Sequence, residues 1–255
     1  MDKRWAIWFS TPNTAAAEIA SDLGYGAAVL DIEHGAFDFS DLDHFIPFLR
    51  ALGMEVIAKV LAPERGPIQQ ALDFGADAVV IPHIAGLEHA RQVTAFAKFP
   101  PLGERSYAGG RTAMYRGFDD PWVRRQDTTT RCYPMVEHAG AFQQMSEILA
   151  LPTVDGLFVG PSDLSLRRNR GAYSHTPGDF ADFKAIADAA ASAGKSWIFP
   201  AWNSTEKKFA LQHNAARIVL TMEHTALLNG LQLSLDEMRE MGGAAAARCP
   251  PPCDS

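Results

Sequence analysis

Short apolar runs alternate with amphipathic segments along the chain. The runs predict β-strands at residues 5–9, 27–32, 55–60, 77–82, 131–137, 155–160, 196–200 and 217–221. The segments between them place apolar residues three or four positions apart, as in residues 40–53, where Ser40 and Asp43 predict a capping box. Strands that alternate with helices predict a parallel sheet that is covered on both faces.

Eight βα units in about 250 residues predict a single (β/α)₈ barrel, an α/β fold of the TIM-barrel type. An open, doubly wound sheet is the alternative. That fold carries a glycine-rich phosphate loop after its first strand, whereas residues 10–18, STPNTAAAE, contain no glycine. We predict one barrel domain over residues 1–241 and a flexible Gly/Ala/Pro-rich tail over residues 242–255.

Residues 100–130 interrupt this alternation because they show no clean period. A connection that long in a compact domain is usually functional or disordered. It carries Arg105 and Arg111, which either meet an acidic substrate at the mouth of the barrel, or hold the loop down, or face solvent.

Charge and composition narrow the classes of partner and the compartment. The chain has 23 basic and 30 acidic residues, a net charge of −7, which is poorly suited to binding a nucleic acid backbone. No run of about eighteen apolar residues exists, so no membrane span is predicted. Three cysteines and an N-terminus without a signal-peptide pattern favour the cytoplasm. Cys249 and Cys253 in the tail supply only two ligands, too few for a typical zinc site.

Ionisable residues follow five consecutive predicted strands, and the ends of barrel strands meet at one face. They are Asp31, Glu33 and His34, then Lys59, His83, Glu137 and Asp163. The alternative for Asp31 and Glu33 is that they cap the next helix, since carboxylates favour helix N-termini. With no partner identified, His83 is interpreted as structural.

Glu137 and Asp163 end neighbouring strands, which lie about 4.8 Å apart. Two carboxylates with open water positions suit Mg²⁺ or Mn²⁺, although two unrelated surface acids would give the same pattern. The turn GPSDLS (160–165) leads into a helix, so the N–H groups of Ser162 and Asp163 are free to hold a carboxylate beside the metal.

Five segments together resemble the HpcH/HpaI aldolase family. They are DIEHGAFD (31–38), LDFGADAVVIPHI (72–84), FPPLGERSY (99–107), MVEHAGAF (135–142) and VDGLFVGPSDLS (154–165). The resemblance implies a class II, metal-dependent aldolase on a (β/α)₈ barrel. Such an enzyme makes or cleaves 4-hydroxy-2-oxo acids, with pyruvate or hydroxypyruvate as donor, an aldehyde as acceptor, and Mg, Mn or Co as cofactor.

The resemblance also implies roles for individual residues. Glu137 and Asp163 match the metal ligands, and His34 matches the general base. Trp8 lines the pocket, and Gly160, Ser162 and Asp163 match the segment whose backbone holds the pyruvate carboxylate.

Asp73 matches an acid that pairs with the base. It is predicted at the end of a helix, at the face of the barrel opposite His34. We therefore predict a homo-oligomer, a trimer or hexamer, in which a neighbouring subunit contributes Asp73; the alternative is an ordinary helix-end aspartate.

Two positions depart from the family pattern. Lys59 stands where the family has an arginine, and it either does the arginine's work, reflects another substrate, or forms a Schiff base without a metal. Met135 replaces a glutamine and so removes a possible hydrogen bond to substrate or metal water. Two other functions stay open: carbon–carbon cleavage of a CoA-type thioester, as in citrate lyase β-subunits, and a metabolite-binding barrel without turnover.

Overall fold

The structure, a computed structural model, describes residues 2–246, with side chains described through residue 241. Within this range eight parallel strands close into a barrel in chain order, and the last strand pairs with the first. The strands are β1 (Asp2–Phe9), β2 (Tyr25–Asp31), β3 (Glu55–Lys59), β4 (Ala78–Ile81), β5 (Arg131–Val136), β6 (Gly156–Val159), β7 (Ser196–Pro200) and β8 (Arg217–Met222). The predicted (β/α)₈ barrel is confirmed.

Helices connect the strands on the outside of the barrel. They are α1 (Thr14–Asp22), α2 (Phe39–Ala51), α3 (Arg65–Asp73), α4 (Leu87–Thr94), α5 (Asp120–Thr129), α6 (Ala139–Gln143), α7 (Met145–Leu149), α8 (Pro161–Arg167), α9 (Pro177–Ser192), α10 (Ser204–Gln212) and α11 (Glu223–Ala246). Short 3₁₀ turns cover residues 95–97 and 111–113.

Three local predictions are changed by the structure. The capping box of α2 is formed by Asp38 and Asp41, not Ser40 and Asp43, so the helix begins one residue before Ser40. The N-cap of α2 is therefore Asp38, and neither Asp31 nor Glu33 caps this helix. The aperiodic segment 100–130 contains α5, which buries little beyond Trp122 and so has no apolar stripe to reveal it.

The predicted tail begins inside α11, whose backbone continues to Ala246. Residues 247–255, with both tail cysteines, lie outside the described residues. No helix in the described part of the chain combines the length and hydropathy needed to cross a bilayer.

Alternation along the strands produces two apolar layers. Every second strand residue points outward against the helices, and the residues between them fill the barrel interior. The interior layer consists of Ala6, Trp8, Ala27, Val29, Ile57, Ala78, Val80, Tyr133, Met135, Phe158, Ile198 and Val219. Because these side chains fill the interior, a ligand can bind only at the ends of the barrel.

Candidate active site

On three strands, the series of alternate residues that point into the barrel continues beyond the apolar interior and ends in a charged residue. Asp31 follows Ala27 and Val29 on β2, Lys59 follows Ile57 on β3, and Glu137 follows Tyr133 and Met135 after β5. All three charged side chains are buried. They form the top layer of the barrel, at the carboxyl ends of the strands, where the ionisable residues were predicted to meet.

Lys59 lies between two carboxylates. Its Nζ is 3.0 Å from Asp31 Oδ1 and 2.6 Å from Glu33 Oε2. Burial alone raises the pKa of Glu33, but the hydrogen bond and charge of Lys59 outweigh burial, and the pKa lies below its ordinary value. Glu33 is therefore an anion in this network. Its ion pair with Lys59 connects the end of β2 to the end of β3.

Two histidines contact the other oxygen of Glu33. His83 Nε2 lies 2.5 Å from Glu33 Oε1, and His34 Nε2 lies 3.4 Å from the same atom. The backbone N–H of His34 donates to Asp31 Oδ1 at 3.2 Å. The side chain of His34 is 67% exposed, so its ring is held at the rim of the mouth and is open to a ligand.

His83 links β4 to β5 through its backbone as well as its side chain. Its N–H donates to Glu137 Oε1 at 2.6 Å, and its φ of 58° lies in the left-handed region, which is uncommon for a residue other than glycine. No partner for His83 was predicted from the sequence, and the structure places it between Glu33 and Glu137. Both partners are more than 45 residues away in the chain, so no local pattern signals the contact.

The negative charge of Glu137 is in an unfavourable environment. Burial raises its pKa, the negative charges of Asp163 and Glu33 raise it further, and His83 lowers it in part. Asp163 lies in the first turn of α8 and is half-buried. The predicted pair is thus close enough to interact, and its repulsion is the kind that a bound cation relieves.

Gly160 lets Glu137 pack closely against the backbone that leads into α8. A Cβ added there would lie 2.7 Å from the Cβ of Glu137, 3.1 Å from its Oε2 and 2.9 Å from Cε of Met135. The buried carboxyl group of Glu137 and the half-buried one of Asp163 fit an oxygen-preferring divalent ion that keeps water ligands. No group of three or more His, Cys, Asp or Glu side chains among the described residues is arranged to hold a metal.

Aromatic and apolar side chains form the floor of the mouth. The Trp8 ring lies 5.8 Å from Lys59 Nζ and contacts Phe158 and Trp202 at centroid distances of 6.1 and 6.2 Å. Met135 is buried beside Gly160. Trp8 therefore lies next to the charged layer, as predicted, whereas Met135 brings a thioether and no hydrogen-bonding amide to the same floor.

Asp73 is placed apart from this cluster, at the C-terminal end of α3. Its Oδ1 accepts a hydrogen bond from Arg105 Nη2 at 2.7 Å. Within one chain the structure gives it no contact with His34. Ser162, by contrast, lies exposed in the first turn of α8, between Gly160 and Asp163.

Glu223 closes the ring of strand ends and was missed in the sequence. It begins α11 directly after β8, and its Oε1 accepts the N–H groups of Ser10 and Thr11 at 2.7 and 3.0 Å. Its Oε2 is buried without a hydrogen-bond partner among the described residues. Glu223 thus joins the end of β8 to the loop that follows β1.

The sequence and the fold are similar to those of known proteins. A 2-dehydro-3,6-dideoxy-6-sulfogluconate aldolase from Pseudomonas putida is 31% identical over 158 residues, and a 2-keto-3-deoxy-L-rhamnonate aldolase from Salmonella gallinarum is 30% identical over 165. These alignments cover 62% and 64% of this chain and 62% of each relative. The HpcH/HpaI aldolase structure from Desulfitobacterium hafniense superposes with a TM-score of 0.86 at 23% identity, covering 94% of this chain and 93% of that one.

A sequence model of one family matches almost the whole barrel. The match extends over residues 4–221 and so includes the carboxyl ends of β1 to β7 and most of β8. The chain belongs to the HpcH/HpaI aldolase/citrate lyase family.

Proposed function

We propose that the protein is a metal-dependent class II aldolase that cleaves and forms 4-hydroxy-2-oxo acids. The observation that carries this proposal is the mouth of the barrel, where buried Glu137 interacts with Asp163 and packs closely against the backbone of Gly160. His34 stands exposed at the rim of the same mouth. A base next to paired carboxylates is the arrangement that enolate chemistry needs.

Glu137 and Asp163 would hold the divalent ion, in a family that is metal-dependent. When bound, a divalent cation polarises the keto group of a 2-oxo acid and stabilises negative charge on its oxygen. The N–H groups of Ser162 and Asp163 are not used by a side-chain cap on α8 and would bind the substrate carboxylate.

His34 would move the proton. In cleavage its imidazole takes the proton of the C4 hydroxyl, and in condensation it returns that proton to the new alkoxide. Two contacts fix the position of the His34 ring: the contact of its Nε2 with Glu33 Oε1, and the hydrogen bond from the backbone N–H of His34 to Asp31. Imidazole suits this work because its ordinary pKa lies near neutral pH.

Lys59 would orient the base and would not act as a nucleophile. A Schiff base requires a neutral amine, but Lys59 Nζ lies within 3.0 Å of two carboxylates, Asp31 and Glu33, which favour the ammonium. By fixing Glu33, Lys59 also fixes the two histidines that contact it. It thus supplies a point charge where the family has a planar arginine.

The relatives support a proposal for the class of substrate. The names of the Pseudomonas and Salmonella aldolases both denote 2-oxo-3-deoxy sugar acids, whose fourth carbon carries a hydroxyl. We propose a substrate of this kind, which would release pyruvate and a hydroxylated aldehyde. Hydroxypyruvate is the alternative donor.

The proposal predicts metal-dependent exchange of the pyruvate methyl protons. In D₂O the enzyme with Mg²⁺, Mn²⁺ or Co²⁺ should deuterate pyruvate, as followed by NMR, and EDTA should stop the exchange. Borohydride added with pyruvate should not label Lys59, because the amine is ion-paired. Exchange that survives EDTA would contradict the class II mechanism, and absence of exchange with every metal and with both donors would contradict an aldolase.

We further propose that the protein is a homo-oligomer. Seven large apolar side chains of α11 are exposed in the single chain: Leu227, Leu228, Leu231, Leu233, Leu235, Met238 and Met241. They continue into a groove beside α1, where Ile19 and Leu23 are also exposed. An apolar surface this long is rarely left to solvent, and a second copy of the chain supplies a matching apolar surface.

Leu231→Glu should therefore dissociate the assembly, because it places a charge in the middle of the α11 surface. Sedimentation should show a smaller species, and pyruvate exchange should fall with it if a neighbour completes the site. Leu211→Glu is the matched control, because Leu211 is an exposed leucine on α10 that does not line the groove between α1 and α11. A wild-type protein that sediments as a fully active monomer would contradict the proposal.

A further inference from the structure

We infer that Arg105 is a positioning residue, which holds the Asp73 carboxylate in place for His34 of a neighbouring copy. The inference rests on the proposed function and extends it to a residue to which the family resemblance gives no role. It starts from the surroundings of Asp73 and Arg105 in a single chain.

Asp73 occupies an unfavourable place for an anion. It is the last residue of α3, where the exposed carbonyl groups give the helix end a negative partial charge. Arg105 compensates for that charge through the 2.7 Å contact between its Nη2 and Asp73 Oδ1. The Asp73 side chain is still 32% exposed, so part of the carboxylate reaches the surface and is available to a second partner.

Arg105 is unusually buried for a residue that makes one surface contact. Its side chain is 1% exposed, and Nε and Nη1 have no hydrogen-bond partner among the described residues. The guanidinium lies 4.7 Å from the centroid of the Phe99 ring, and this cation–π contact stabilises its charge. Asp127 adds a second negative charge nearby, and burial lowers the pKa of Arg105.

The loop that carries Arg105 is fixed on both sides. The N–H of Arg105 donates to the carbonyl of Lys98 at 2.7 Å, and the N–H of Ser106 donates to Gln69 Oε1 at 2.8 Å. Gln69 lies one turn before Asp73 on α3. The backbone contacts therefore fix the position of the Arg105 guanidinium beside Asp73 and limit its other conformations.

Stability alone does not account for this arrangement. A buried arginine with two unsatisfied N–H groups loses hydration that a single ion pair does not restore, and an apolar side chain there would be as favourable. The arrangement does fix the direction of the Asp73 carboxylate through the 2.7 Å contact with Arg105. A carboxylate held in one direction is what an imidazole on another subunit needs as a hydrogen-bond acceptor.

The first test separates base-dependent from base-independent chemistry. Exchange of the pyruvate methyl protons needs a base, whereas decarboxylation of oxaloacetate breaks the bond to its C4 carboxylate and leaves the electron pair in the same enolate without a base. Arg105→Lys should lower exchange by about 10-fold to 100-fold, and Asp73→Asn should do the same. Decarboxylation of oxaloacetate should change little in both variants.

Arg111→Lys is the matched control. Arg111 belongs to the same long connection and also pairs with an aspartate, Asp43 at 2.6 Å, but it is half-exposed and contacts α2 instead of α3. Its substitution should leave both reactions unchanged. If Arg105→Lys lowers exchange and decarboxylation equally, its role is merely structural and the inference is wrong.

The second test uses mixed oligomers, purified through two affinity tags after co-expression of two variants. His34→Ala with Asp73→Asn should recover about a quarter of the wild-type exchange rate, because random pairing joins the two intact halves in that share of sites. His34→Ala with Arg105→Lys should recover exchange similarly. Asp73→Asn with Arg105→Lys should not, since both changes damage the same half.

The outcomes distinguish the two proposals. If His34→Ala and Asp73→Asn fail to complement one another, the shared site itself is wrong. If they complement, but Arg105→Lys recovers exchange when mixed with Asp73→Asn, the shared site stands and Arg105 does not act through Asp73.

Discussion

Glu137→Gln should lower metal-dependent exchange of the pyruvate methyl protons by on the order of 10³-fold. The substitution keeps the size of the side chain and the acceptor for the N–H of His83, but removes the charge. The remaining carboxylate, Asp163, would then hold a divalent ion alone. Loss of the ion removes the group that stabilises the enolate charge.

Glu147→Gln is the control for this experiment, because Glu147 is an exposed glutamate on α7, outside the mouth. A second measurement is independent of turnover. Added Mn²⁺ should raise the melting temperature of the wild-type protein and of Glu147→Gln, since binding to the folded state alone stabilises it. It should not raise that of Glu137→Gln. A variant that keeps both its exchange rate and its stabilisation by Mn²⁺ would remove Glu137 from the metal site.

His34→Ala should lower the same exchange by about 10²-fold to 10⁴-fold, the range that a general base contributes. Decarboxylation of oxaloacetate should be retained, because it forms the enolate without removing a proton. His44→Ala is the control, since His44 is an exposed histidine on α2 whose ring contacts the carbonyl of Ser40. Equal losses in both reactions would mean that His34 holds the metal or the fold instead of moving a proton.

The barrel was predictable because its strands are buried on both faces and so appear as continuous apolar runs. The observed strand limits fall within three residues of those predicted, as in β7 and β4. Helix α5 was not predictable in the same way, since it buries mainly Trp122 against the loop and exposes a polar surface elsewhere. Local capping was ambiguous where two candidate pairs, Asp38/Asp41 and Ser40/Asp43, compete for the start of α2.

The site was predictable to the extent that its residues lie at strand ends. Lys59 and Glu137 were found in this way, and their inward direction follows from the parity of β3 and β5. The contacts between them were not predictable. His83 reaches Glu33 only because β2, β3 and β4 are adjacent in the closed barrel, and the burial of Arg105 under Asp73 depends on a loop without a period.

The charge of the barrel mouth has a kinetic consequence. Four acidic side chains, Asp31, Glu33, Glu137 and Asp163, lie at the mouth, and Lys59 forms ion pairs with only the first two. Such an excess of acidic groups should attract a divalent cation and repel the anion of a 2-oxo acid. For the proposed aldolase we therefore expect ordered binding, in which the cation binds first and the acid associates quickly only afterwards.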